Sequence, residues 1–196
     1  VRIAVIDSGI HAGHPHVGRV AGAVYFTGDD ALDRLGHGTA VAAAIREKVP
    51  EAELFAVKVF DRRLTVRIEA ILRALAWCRE ERMDAINLSL GTANEEHRAA
   101  LLEAVADNGV VVSAAHMLPG SLAGVIGVAV DETCPRDEFR REGDLFLASP
   151  YPRPIPGVPP ERNLHGVSFA VANMTGIVAR ACARCSRAEL FTELAR

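Results

Sequence analysis

The sequence of 196 residues has no long uninterrupted apolar run. A membrane-crossing helix needs roughly 18 such residues or more, so none is expected. Aromatic side chains are scarce, at 5% of the chain. The core must then be built from small aliphatic residues, and Ala and Val are abundant enough to pack sheet and helix layers closely. Unrelieved basic clusters are also missing, and the formal net charge is −3. The richest basic stretch, 136–141, alternates with Asp137 and Glu138 and runs into Glu142. It reads as a solvated loop or turn, so neither nucleic acid nor an anionic membrane is an expected partner. No G-x-G-x-x-G follows the first apolar stretch and no P-loop occurs, which argues against a nucleotide-binding protein.

Cysteine is sparse as well. Cys182 and Cys185 make a C-x-x-C, with Cys78 and Cys134 elsewhere. No second C-x-x-C or His pair completes a zinc set. A redox pair should open a helix after a strand, whereas this one falls near a predicted helix end. Buried thiols packing as small hydrophobes are the expectation. So few cysteines favour a cytoplasmic chain. Val1 to Ile6 reads as a strand and not as a signal peptide, although a secreted form stays open if such a peptide was removed.

What is present is an ordinary globular balance: 49% hydrophobic and 24% charged residues. The length suits one core and one domain, 1–196. Short β-branched runs occur at 2–6, 54–60, 85–90, 110–114 and 125–130. They lack strict alternation, as strands covered on both faces do. Helical patterns lie between them, at 38–47, 65–81 with Thr65 as cap, 95–108, 167–183 and 186–194. The clearest is 65–81, with Ile68, Ile71, Leu72, Leu75 and Ala76 on one stripe, while 167–183 is apolar nearly all round and predicts a buried helix. Strands alternating with helices predict an α/β three-layer sandwich, with a mainly parallel central sheet and helices on both faces. Only 148–160 fits neither pattern. It carries Pro150, Pro152, Pro154, Pro156, Pro159 and Pro160, so it is a stiff irregular loop before the last long helix.

Three places carry chemistry. Asp7 ends a buried strand and precedes Ser8 and Gly9, where α/β folds place ligands. His37 stands between Gly36 and Gly38 at the mouth of an apolar helix. Ser168 follows Gly166 and Val167 at the start of the most apolar helix. Each alone has a bland reading: a metal or ribose Asp, a structural His, a helix-capping Ser. Together, in the order Asp, His, Ser, they match one known order of a catalytic triad. Ser168 Oγ would attack a carbonyl, His37 would carry its proton to the leaving amine, and Asp7 would orient the imidazole.

Val5-Ile6-Asp7-Ser8-Gly9-Ile10 resembles the Asp motif of the subtilisin family. Gly36-His37-Gly38-Thr39-Ala40-Val41-Ala42 and Gly166-Val167-Ser168-Phe169-Ala170 resemble its His and Ser motifs. Asn87-Leu88-Ser89-Leu90-Gly91 is similar to the strand that pairs with substrate. The resemblance runs from Val1 to about Arg184 and implies the same parallel-sheet sandwich. It also implies that Ser89, Leu90 and Gly91 form one wall of the S1 pocket, and that Ala114, Ala115 and His116 form the opposite wall. The implied substrate is an extended peptide or protein that adds as a strand.

The pattern departs from the family at one chemical point. An oxyanion-hole Asn is expected after the Ala-rich strand end, but the chain reads Ala114-Ala115-His116-Met117-Leu118. Met117 or Leu118 takes that place, and neither side chain donates a hydrogen bond. His116 is the nearest candidate donor, with Asn163 of the proline-rich loop a more distant one. Val167 stands for the usual Thr, and Ala172-Asn173 stands where a Pro often occurs. Asp29, Asp30 and Asp33 read either as a calcium loop or, preferably, as a solvated loop. No cofactor and no metal are expected. Two readings follow: a serine endopeptidase of narrow scope, suited to trimming precursors or leader peptides, and a pseudopeptidase that grips extended peptides without cutting them.

Overall fold

A computed structural model describes residues 1–184, 189, 190 and 194. Among them run eight strands in one sheet: β1 (Arg2–Asp7), β2 (Gly22–Tyr25), β3 (Glu53–Lys58), β4 (Ala85–Leu88), β5 (Val110–Ala114), β6 (Ile126–Val130), β7 (Phe139–Glu142) and β8 (Leu145–Ala148). Their order is β2-β3-β1-β4-β5-β6-β8-β7. Every pairing is parallel except β7 with β8. Four α-helices accompany the sheet: α1 (His37–Lys48), α2 (Ile68–Glu80), α3 (Arg98–Ala106) and α4 (Val167–Cys182).

The side-chain period of two along a strand explains the layers. On β1, Ile3 and Val5 pack with Val41 and Ile45 of α1 and with Phe169 and Ala172 of α4. Ala4 and Ile6 face the other way, against Ile71 and Leu75 of α2 and Leu101 and Val105 of α3. Both faces are covered, which is why β1 is an unbroken apolar run. A third cluster sets Val110, Val112, Ile126 and Val128 against Ala170, Val171, Met174 and Val178 of α4. The sandwich with helices on both faces is therefore as the sequence implies.

Three strands escape the sequence reading. β2 and β7 are sheet edges with exposed positions, and β8 is a short half-buried strand beside β7. The stretch 136–141, expected as a loop or turn, contributes most of β7. Its charges suit an edge: Arg140 reaches Asp131 at 2.5 Å, and charged edges resist pairing with other chains. Thr65 does not cap α2, which begins after Arg67. The expected closing helix 186–194 and Cys185 lie mostly or wholly outside the described residues. Leu190 and Leu194 are buried against the α4 cluster. Cys78 and Cys134 are buried free thiols, and Cys182 is half-buried. Burial pushes the Cys78 thiol up, so it is inert as a nucleophile. No helix among the described residues is long and apolar enough to cross a membrane.

The topology places the site. After β1 the chain moves to the β2–β3 side, then crosses back so that β4 lies on the other side of β1. Such a reversal leaves a crevice at the carboxyl ends of the strands. Asp7 is the last residue of β1, and Ser89 follows the last residue of β4.

Candidate active site

Asp7 is fully buried at that crevice. A buried carboxylate needs hydrogen bonds to remain charged. Asp7 Oδ1 accepts from Ser8 N at 2.7 Å. His37 Nδ1 lies 2.8 Å from Oδ1 and 3.0 Å from Oδ2, so the ring donates this proton to the carboxylate. The remaining ring nitrogen, Nε2, is then the one left for chemistry. Gly38 makes this approach geometrically available: a Cβ there would meet Gly9 O at 2.2 Å and Asp7 Cβ at 3.1 Å. Any side chain at that position would push α1, and His37 with it, away from β1.

Asp33 braces the same corner. Its Oδ1 accepts from Ser8 Oγ at 2.8 Å, Leu35 N at 3.0 Å and Gly36 N at 2.9 Å. Its Oδ2 accepts from Thr39 N at 2.9 Å and Thr39 Oγ1 at 2.5 Å. Ser8 Oγ in turn accepts from Gly38 N at 2.9 Å. A carboxylate thus satisfies the orphan donors at the start of α1, where the helix dipole also favours negative charge. Burial opposes its charge, but the hydrogen bonds from Thr39, Ser8 and the backbone hold its carboxyl below the ordinary value. Asp30, by contrast, is held by Arg34 through two contacts of 2.7 Å. Each of these two carboxylates already has protein donors of its own. Among the described residues no group of His, Cys, Asp and Glu is arranged to hold a metal ion.

His37 titrates above its ordinary 6.5. Burial works to lower it, but the hydrogen bond and charge of Asp7, with a smaller push from Asp33, outweigh burial. The ring of Phe169 packs beside it, with centroids 5.7 Å apart.

Ser168 is the second residue of α4, so its backbone N–H is among the first-turn donors left without an intrahelical partner. Its carbonyl accepts from Ser89 Oγ at 3.1 Å, and Ser89 Oγ accepts from Asn87 Nδ2 at 2.8 Å. Asn87 Oδ1 accepts from Thr175 Oγ1 at 3.1 Å. This buried chain ties the end of β4 to α4. Ser168 Oγ itself makes a long contact of 3.4 Å to the Ser89 carbonyl. His37 and Ser168 line one cleft of about 370 Å³, together with Ser89, Leu90, Gly91 and an apolar floor that includes Phe60, Val66 and Ile71.

The structure therefore brings Asp7, His37, Ser168, Ser89, Leu90 and Gly91 to one place. It does not bring Ala114, Ala115 or His116 into that cleft. Ala114 is buried in the core against α4. Ala115 lines a different hollow with Gly120 and Leu122. His116 is exposed on a turn. The reason is local: Thr92 and Leu118 exchange backbone hydrogen bonds of 3.0 and 2.9 Å. A Cβ at Gly91 would lie only 2.8 Å from Met117 Cβ. The two walls meet edge to edge, with Met117 packed where an open slot was expected. Asn163 also stays outside the cleft and donates to the Arg153 carbonyl at 3.3 Å. Among the described residues no Asn or Gln side chain lines the cleft.

Sequence reasoning missed Asp33 as a brace and Asn173 as an anchor. Asn173 Nδ2 donates to the carbonyls of Ser149 and Tyr151 at 2.9 and 3.0 Å, pinning the proline-rich loop beside α4. Its Oδ1 accepts from buried Lys48 Nζ at 2.6 Å. Burial pushes Lys48 down to about 8. A polar residue on an otherwise apolar helix was the available signal for Asn173.

The Subtilase family model matches residues 1–132, a stretch that contains Asp7 and His37 and ends before Ser168. Thermostable alkaline protease of Halalkalibacterium halodurans is 30% identical over 201 residues, covering 91% of this chain and 55% of that protein. Subtilisin E of Bacillus subtilis is 35% identical over 134 residues, covering 62% of this chain and 35% of that protein. The minor extracellular protease Epr of the same organism is 37% identical over 106 residues, 48% of this chain and 16% of that protein. The chain thus spans about half or less of the length of these curated relatives.

Proposed function

This chain belongs to the subtilase family, and on that premise we propose that it is a serine endopeptidase with Asp7, His37 and Ser168 as its triad. The observation that carries the reading is the His37 Nδ1 contact with the buried Asp7 carboxylate, at 2.8 and 3.0 Å, in the cleft that also holds Ser168. In this reaction Nε2 of His37 takes the proton from Ser168 Oγ as the oxygen attacks the substrate carbonyl. The tetrahedral oxyanion forms against the Ser168 N–H at the positive end of α4. Its collapse expels the amine, which receives the proton from His37, and leaves an acyl ester on Ser168. Water, activated by the same imidazole, then hydrolyses that ester.

Ser168 Oγ, resting 3.4 Å from the Ser89 carbonyl, turns toward His37 by a change of side-chain rotamer. Narrow substrate scope follows from the closed wall at Gly91 and Met117. Processing of a precursor or leader peptide is the role this scope suits. No cofactor takes part in these steps, and the partner is an extended peptide or protein segment.

A second reading is supported by one observation, that no side-chain amide lines the cleft. Losing a single oxyanion donor costs about 10²–10³ in turnover, so a peptide-gripping pseudopeptidase is the competing account. A peptide library incubated with the protein and with Ser168→Ala separates the two. Cleavage by the parent alone supports the peptidase. Equal binding by both proteins with cleavage by neither supports the gripping module.

A further inference from the structure

We propose that the cleft selects extended peptides bearing acidic side chains a few residues from the scissile bond, through a basic wall made by Arg67 and Arg73. This rests on the peptide-cleft reading above. The cleft does not end at its apolar floor. Thr65 and Val66 line it and also line a second hollow of about 780 Å³, whose walls include Phe26, Arg67, Glu69 and Arg73. The segment 64–67 thus runs from one hollow into the other, with His37 and Ser168 lining the first and Arg67 and Arg73 the second.

These arginines are not consumed by the fold. Arg67 and Arg73 are exposed, and among the described residues neither has a carboxylate partner. Arg73 lies over the Phe26 ring at 5.1 Å, which fixes its position while leaving its donors free. Neighbouring charges behave differently. Arg34 is taken by Asp30 and Arg98 by Glu95. Asp61 is spent on Lys58, Arg34 and Arg62. Glu96 accepts from Asn94. Glu69, in the same hollow, is the one acidic group that opposes the wall, and it leaves an excess of positive charge there. A guanidinium offers a planar fork that matches a carboxylate. An extended peptide lying along 64–67 and 89–92 would present alternate side chains to this wall.

The test uses internally quenched peptides that share the residues around the scissile bond. Single Asp, Asn or Lys substitutions are walked outward along both sides. The expected result is a peak of about tenfold higher kcat/KM for Asp over Asn at one or two positions. The preference should shrink as salt is added, because exposed charges are screened beyond about 10 Å at 0.1 M. The charge reversal Arg67→Glu with Arg73→Glu should move the preference to Lys at the same positions. Each variant's rates are taken relative to its own fraction labelled by a fluorophosphonate, so a damaged nucleophile is not read as lost selectivity. Should no peptide be cleaved, fluorescence anisotropy of the same peptides on Ser168→Ala reads the charge preference independently of catalysis. A flat Asp–Asn–Lys profile in both assays, or a preference that survives the charge reversal, overturns the proposal.

Discussion

The two halves of the site are built to different standards. The Asp7–His37 corner is over-determined. Asp33, Ser8, Thr39 and Gly38 join the end of β1 to the start of α1 through a closed set of hydrogen bonds. The Ser168 half is anchored at its carbonyl, through Ser89, Asn87 and Thr175, but its hydroxyl rests on one long contact. Opposite it, Met117 packs close to Gly91, and among the described residues no side-chain amide lines the cleft. In the proposed mechanism the base is thus preset, whereas the nucleophile still has to turn toward it when substrate arrives. Catalysis in such a site depends on substrate contacts more than in one where both halves are rigid.

The sharpest way to break this comparison is at its rigid half. Asp7→Ala should lower kcat/KM by about 10⁴, because the imidazole loses its tautomer and its orientation together. A loss below tenfold would mean that His37 is not the base. Asp33→Ala should come next, with turnover down by roughly tenfold to a hundredfold and stability lower by about 1–3 kcal/mol, since buried donors lose their acceptor. Asp33 touches no substrate and acts by positioning. Asp33→Asn keeps one acceptor oxygen but sets an amide NH2 against the other donors; it should lower the apparent pKa of His37 by removing a nearby charge. An unchanged pH profile in Asp33→Asn would leave only a structural role.

The pH profile itself is a milder probe. His37 must be neutral to act as a base, and its pKa is raised above 6.5. Activity should accordingly rise with pH through a midpoint above 6.5. The sign for folding is the opposite. The charged form is favoured in the folded state, so this contribution is complete below 6.5 and is lost as pH climbs through the raised value. A midpoint below 6.5 in labelling kinetics would contradict the Asp7 pairing. The smallest effect belongs to the open half. His116→Ala should change kcat/KM by less than about twofold, because the residue is exposed and outside the cleft. A loss near that of an oxyanion donor, about 10²-fold or more, would place it in the oxyanion hole after all.

Much of this was legible in the residues. Asp7, His37 and Ser168 sit beside glycines at strand or loop ends, and the structure places them together at the sheet's switch point. The covered strands were legible because apolar runs without alternation need two buried faces. The edge strand β7 was not, because Arg140, Arg141 and Glu142 look like a solvated turn until β8 supplies a partner. Asp33 was hidden among Asp29 and Asp30, since three nearby carboxylates look alike in one dimension. Only the fold decides which of them meets Ser8 and Thr39. That Ala114, Ala115 and His116 lie outside this cleft was not legible, because it depends on how 91–92 and 117–118 approach each other. Here the backbone exchange between Thr92 and Leu118 draws the two walls together.

The most direct test is covalent labelling with a fluorophosphonate, which reacts with a serine hydroxyl only when it is activated, followed by mapping of the adduct by mass spectrometry. The account predicts a single adduct on Ser168, lost in His37→Ala and faster as pH rises above 6.5. A folded parent that stays unlabelled, or an adduct on another residue, would contradict the triad.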